Sequence, residues 1–173
     1  NDIDEKAVKE SQMIFLEGYL WDKGEPKAAF DKAMSLSNNR VMSLSDQFCV
    51  ERHKSEFLDL LKNKLDITFA NEQEIRSLID AKSFEDIIEF GKQLGKVLII
   101  TRGEKGSVAI TNQEIIECHS KPDLKIVDLT GAGDLFAAGF LHGFINNIPI
   151  KECLEKGTEM SSKIIQKVGA RLD

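Results

Sequence analysis

The 173-residue sequence predicts an α/β fold, with a mainly parallel sheet covered by helices on both faces. Two observations predict it. Strand-like and helix-like segments alternate along the chain, and the clearest strands, residues 96–101 (KVLIIT) and 66–70 (DITFA), are rich in strand formers and bounded by turns. With 42% hydrophobic residues the chain can build one cored domain, and it is too short for two full ones.

The elements follow in order. Residues 13–20 (MIFLEGYL) read as a strand. Residues 27–35 have helical spacing, with Pro26 at a helix-start position. Residues 40–44 form a short strand ending at Ser45-Asp46. Residues 51–61 read as one amphipathic segment whose apolar face is Phe57, Leu58, Leu60 and Leu61. After the strand 66–70 come helices over 72–80 and 84–94, then the buried strand 96–101. Residues 107–111 and 114–119 read as two short strands separated by Asn112-Gln113. A helix spans 133–144 behind a glycine-rich turn, Pro149 marks the next turn, and 151–168 is the last helical stretch. The polar stretch to Ser11, starting at Asn1, reads as a linker or the cut end of a longer protein; trimming of a short leader is the alternative.

The net charge of −6, with charges well mixed, argues against general nucleic-acid binding, which requires a basic face. No apolar run approaches the roughly 20 residues of a membrane span, so no membrane partner is expected. Cys49, Cys118 and Cys153 are few, widely spaced and without metal-ligand spacing to any His, which fits reduced structural thiols and a cytoplasmic setting. Tyr19 and Trp21 read as core or interface residues.

The strongest chemical signal is Asp128-Leu129-Thr130-Gly131-Ala132-Gly133-Asp134 running into a small-residue helix. Two glycines flanking Ala132 let the backbone turn sharply and approach a ligand. The turn opens a helix, whose first N–H groups are unpaired and whose dipole is positive there. That combination suits a phosphoryl group carrying charge in flight. A carboxylate at Asp134, in the first turn, can accept the proton of an attacking hydroxyl. Two weaker signals accompany it. Asn71-Glu72-Gln73-Glu74 follows a strand, and Asn with Glu three residues on is also a capping box that needs no ligand. Thr101-Arg102-Gly103-Glu104-Lys105-Gly106 closes the strand 96–101, at the strand end where α/β sheets bind ligands. GEKGS at 103–107 lacks the spacing of a phosphate-binding P-loop. A dinucleotide-binding fold is set aside because its glycines would follow the first strand.

The segment D-x-T-G-A-G-D resembles the C-terminal signature of PfkB/ribokinase-family kinases, and the resemblance extends from Met13 to Leu172. It implies a three-layer α/β/α, ribokinase-like fold, with this chain as its nucleotide-binding and catalytic part, lacking the family's N-terminal lid and glycine-rich G-G-N-type motif. It implies ATP and Mg²⁺ as cofactors and transfer of the γ-phosphate to a primary hydroxyl of a sugar or nucleoside such as adenosine, fructose or ribose. By position, Asp134 matches the catalytic base, and Gly131, Ala132 and Gly133 match the anion hole. Asn71 and Glu74 match an N-x-x-E motif that organises water and Mg²⁺, with Glu74 acting through water. Thr101 and Gly103 match a turn near the nucleotide. Asp128 and Thr130 match positions near a loop that holds a monovalent cation such as K⁺ in several members. Residues 157–162 match weakly an adenine-pocket wall. The region from Gly18 to Asp22, with Asp46, residues 48–52 and 56–61, looks most like bacterial members related to adenosine kinases. Homodimerisation through the lid is a family habit. The competing readings are a kinase for a vitamin-like alcohol, against which the nucleoside-kinase look of residues 41–74 argues, and a catalytically inactive nucleotide-binding or interaction module, which the missing N-terminal part favours and the intact Asp134, Gly131, Gly133 and Glu74 argue against.

Overall fold

The computed structural model describes residues 3–22 and 27–172. Among them the fold is three-layer α/β/α, with a mainly parallel six-stranded sheet in the order β1-β2-β3-β4-β5-β6. The strands are β1 (Ile14–Glu17), β2 (Arg40–Ser43), β3 (Ile67–Asn71), β4 (Val97–Thr101), β5 (Ser107–Ile110) and β6 (Ile115–Cys118). The helices are α1 (Glu5–Glu10), α2 (Lys27–Leu36), α3 (Gln47–Arg52), α4 (Lys54–Asn63), α5 (Glu72–Ile79), α6 (Phe84–Leu94), α7 (Ala132–Ile145) and α8 (Ile150–Ile164). The expected helix start at Pro26 lies outside the described residues.

The chain divides into two compact units: residues up to Ile99 with Ile110–Glu114, and Ile100–Ala109 with residues from Ile115 onward. In the first unit β1, β2 and β3 pair in parallel, with Phe15 opposite Val41 and Val41 opposite Ile67. Parallel neighbours require helical crossovers, which α2 and the α3–α4 pair supply. The apolar character of these strands follows from burial on both sheet faces: Val41 and Met42 are wholly buried, and so are Leu98 and Ile99. Trp21 is buried edge-on against Phe30 and donates its indole N–H to Glu56 at 3.1 Å, whereas Tyr19 is half exposed.

Three sequence expectations change here. The polar N-terminal stretch holds a helix, α1. Asp4 caps it by accepting from the Lys6 and Ala7 amides, and Glu5 pairs with Lys32 of α2 at 2.9 Å. It buries no residue, so no apolar stripe announced it. The strand expected over 13–20 ends at Glu17, where the chain enters a 3₁₀ turn (Gly18–Asp22); a side chain at Gly18 would collide with the Leu44 carbonyl at 2.5 Å. The helix expected over 51–61 is two, broken at His53, with Asp46 capping the first by accepting from the Phe48 amide.

In the second unit α7 and α8 pack closely along small residues. A Cβ on Gly139 would sit 2.7 Å from the Lys156 carbonyl, and one on Gly157 would sit 2.8 Å from the Phe136 carbonyl. Cys118 of β6 is buried and the adjacent His119 exposed, as opposite strand faces require. The last helix ends at Ile164, four residues short of the expected end, and the chain then turns back: the Ile165 carbonyl accepts the Val127 amide at 2.8 Å. No helix among the described residues is long and apolar enough to cross a membrane.

Candidate active site

The glycine-rich turn lies in the second unit. Gly131 is the N-cap of α7 and holds φ +76°, ψ 4°, a left-handed conformation that side-chain-bearing residues avoid. A Cβ there would also meet the Ala170 Cβ at 2.8 Å. No side chain caps α7. The Ala132 amide is already spent on the Leu129 carbonyl at 3.1 Å, so of the three anion-hole positions expected it is the one whose N–H is committed. The N–H groups of Gly133 and Asp134, in the first helical turn, have no partner within the helix by its geometry. Gly133 is exposed, with no atom within 4 Å of where its Cβ would be, so a ligand can approach the backbone closely there. Asp134 is exposed in the same turn.

Beside this turn lies a cavity of about 560 Å³, formed wholly within the second unit. Ala132, Gly133 and Phe136 contribute from the start of α7, and Thr101 and Gly103 from the carboxyl end of β4. Thr101, Gly103, Ala132 and Gly133 are thus brought together, while Asp134 is not part of the cavity wall. Thr158, Ser161 and Ser162 of α8 line it too, matching the weakly read stretch 157–162. Sequence reasoning missed the connection after β6, where Pro122, Leu124 and Ile126 give the cavity an apolar wall. The signal available was three apolar residues in a segment that forms neither helix nor strand.

Asp128 lies in the loop before α7. One carboxylate oxygen accepts from the Thr130 amide at 2.9 Å and its hydroxyl at 2.7 Å; the other accepts from the Gly169 amide at 2.8 Å. The Gly169 amide, then those of Thr130, hold this carboxyl well below the usual range, at about 2. Three donors thus meet this carboxylate, two on one oxygen and one on the other.

Asn71 and Glu74 belong to the first unit, at the β3–α5 junction. They form a reciprocal cap: the Asn71 side chain accepts the Glu74 amide at 2.8 Å, and Glu74 accepts the Asn71 amide at 2.9 Å and its side-chain N–H at 2.7 Å. Glu74 is only 5% exposed. Burial pushes its carboxyl up to about 7, the nearby Asp46 carboxylate adding to the effect and the Asn71 amide opposing it. The cap accounts for both residues without a ligand, and it leaves Glu74 poised to change charge near neutrality.

Comparison with known proteins gives the family. The family model described as pfkB family carbohydrate kinase matches residues 1–173. A cytidine kinase of Thermococcus kodakarensis is 35% identical over 126 residues, covering 68% of this chain and 45% of that protein. The crystal structure of an adenosine kinase from Sinorhizobium meliloti superposes with a TM-score of 0.95 at 35% identity, covering 99% of this chain and 54% of that one. An Arabidopsis thaliana ribokinase complexed with ribose and ATP shares the fold, at a TM-score of 0.78 and 22% identity. The chain spans about half the length of these relatives. With its signature turn built as described and the family model matched from end to end, the chain belongs to the pfkB family of carbohydrate kinases.

Proposed function

We propose that this chain supplies the nucleotide-binding and catalytic part of an ATP-dependent kinase that phosphorylates a primary hydroxyl of a nucleoside or sugar. The observation that carries the reading is the uncapped start of α7: a left-handed Gly131, an open Gly133 and an exposed Asp134 within one turn, with the cavity adjoining. Kinship to nucleoside and sugar kinases supports the acceptor class.

The residues divide the chemistry as follows. The cavity between the end of β4 and α8 takes the nucleotide's base and ribose against its apolar wall, with Thr101, Thr158 and Ser161 offering polar contacts. Asp134 orients the acceptor hydroxyl and takes its proton as the oxygen attacks the γ-phosphorus. A new P–O bond forms, the bond to the β-phosphate oxygen breaks, and ADP departs with that electron pair. The Gly133 and Asp134 amides and the helix dipole stabilise the charge on the equatorial oxygens. Mg²⁺ would supply further neutralisation. Among the described residues no three His, Cys, Asp or Glu side chains gather to hold a metal, so such an ion would rely on phosphates and water.

The test is ATP consumption by the full-length polypeptide that carries this sequence, with Mg²⁺ and adenosine, cytidine, ribose or fructose offered separately, beside Asp134→Asn. Loss of an orienting base is expected to lower kcat by about 10²- to 10⁴-fold. Turnover unchanged in Asp134→Asn would remove Asp134 from the reaction. Tight ATP binding without turnover on any acceptor would transfer the reading to an inactive nucleotide-binding module.

A further inference from the structure

Resting on the kinase reading above, we propose that Asp128 is a positioning residue: it ties the segment that follows α8, residues 165–170, to the glycine turn and thereby sets the first-turn amides of α7. Three facts converge on it. The Asp128 carboxylate accepts from Gly169 on one oxygen and from Thr130 on the other, so a single side chain joins two stretches about forty residues apart in sequence. The strap is fastened a second time by backbone alone, because the Ile165 carbonyl accepts the amides of Val127 at 2.8 Å and Asp128 at 3.3 Å. And the strap's Ala170 lies where a side chain at residue 131 would have to go, so its seat and the left-handed Gly131 are fitted to each other.

The consequence is mechanical. Gly131 decides the direction in which α7 starts: its carbonyl accepts the Leu135 amide at 2.9 Å, and the Ala132 amide is held by Leu129. If the Asp128 carboxylate is removed, the turn loses its side-chain bonds to Thr130 and the tie to Gly169 that holds Ala170 against Gly131. The amides that follow then drift from the place where charge develops in the transition state. Positioning errors of about 1 Å are enough to cost about 100-fold in rate. Because those amides act on the transition state, the loss should fall on kcat and spare the Michaelis constant for ATP.

Two measurements test this. In residue-resolved amide exchange on this chain, Asp128→Ala should speed exchange at Gly169, Ala132 and Leu135 by about tenfold or more, leaving α5 unchanged. Unaltered exchange at Ala132 and Leu135 would overturn the proposal, whatever the catalytic reading. In the full-length kinase, Asp128→Ala should lower kcat by about 10- to 100-fold with the ATP KM within about threefold. Asp128→Asn, which keeps one acceptor oxygen, should recover part of that loss. An unchanged kcat, or a loss lying wholly in KM, would overturn it. A wild-type protein without turnover counts against the kinase reading, and the exchange result then decides the strap by itself.

Discussion

At pH 8 the Glu74 carboxylate is ionised and 5% exposed, inside a cap that gives each oxygen one donor. An unfolded chain holds the same carboxyl at its ordinary value of 4.5, while the folded chain holds it at about 7. Below pH 4.5 both states keep the proton, and the stabilisation from retaining it is fully present. Between 4.5 and 7 the unfolded state releases it and the folded state does not, so stability falls as pH rises; above 7 the loss is complete. The distance from 4.5 to about 7 corresponds to about 3 kcal/mol. Glu74→Gln removes the titration. Glutamine, like the neutral acid, leaves one of the two Asn71 donors without a good acceptor, a cost of about 1 kcal/mol that does not depend on pH. The assay is urea denaturation at pH 5, 6, 7 and 8, followed by the fluorescence of Trp21, the chain's only tryptophan, which packs in the same unit as Glu74. From pH 5 to 8 the wild type should lose about 2.5 kcal/mol relative to Glu74→Gln. Curves that stay parallel within about 0.5 kcal/mol would refute the argument that burial, led by desolvation, sets this carboxyl.

Asp46→Asn should move that transition to lower pH, since it removes a neighbouring negative charge while asparagine still caps α3; an unmoved transition would show that the two carboxylates do not interact. Gly131→Ala should cost about 1–2 kcal/mol for the left-handed backbone plus the collision with Ala170, and depress turnover, as thermal denaturation and ATP consumption would read. Gly133→Ala, where the space is open and the helix welcomes alanine, should leave stability equal or slightly higher yet still reduce turnover, because the methyl group takes the ground a phosphate needs. Gly157→Ala should destabilise by about 1–3 kcal/mol by pushing Phe136, and weaken nucleotide binding because Phe136 lines the cavity.

What could be read from the sequence divides along a physical line. Features fixed by neighbours within four residues were legible. The Asn71–Glu74 spacing announced its capping box, the Gly-Ala-Gly turn announced a helix start, and α6 appears at the expected bounds because Ser83 caps it and Gly95 ends it in a left-handed residue. Features fixed by distant partners were not. The raised Glu74 carboxyl depends on Asp46, 28 positions earlier, and on the packing of α3 against α5. The fit of Gly131 to Ala170 and the tie from Asp128 to Gly169 span about forty residues. The same division separates the two halves of the candidate site. The groups proposed to react sit on one continuous turn, which a motif can name, whereas the cavity wall comes from β4, the connection after β6, α7 and α8, and no local pattern joins those four. Asp128 shows the cost of stopping at the motif. Its position in the signature names the residue, while the donors that meet its carboxylate come from Thr130 inside the motif and Gly169 outside it, and only the folded chain brings the second one to it.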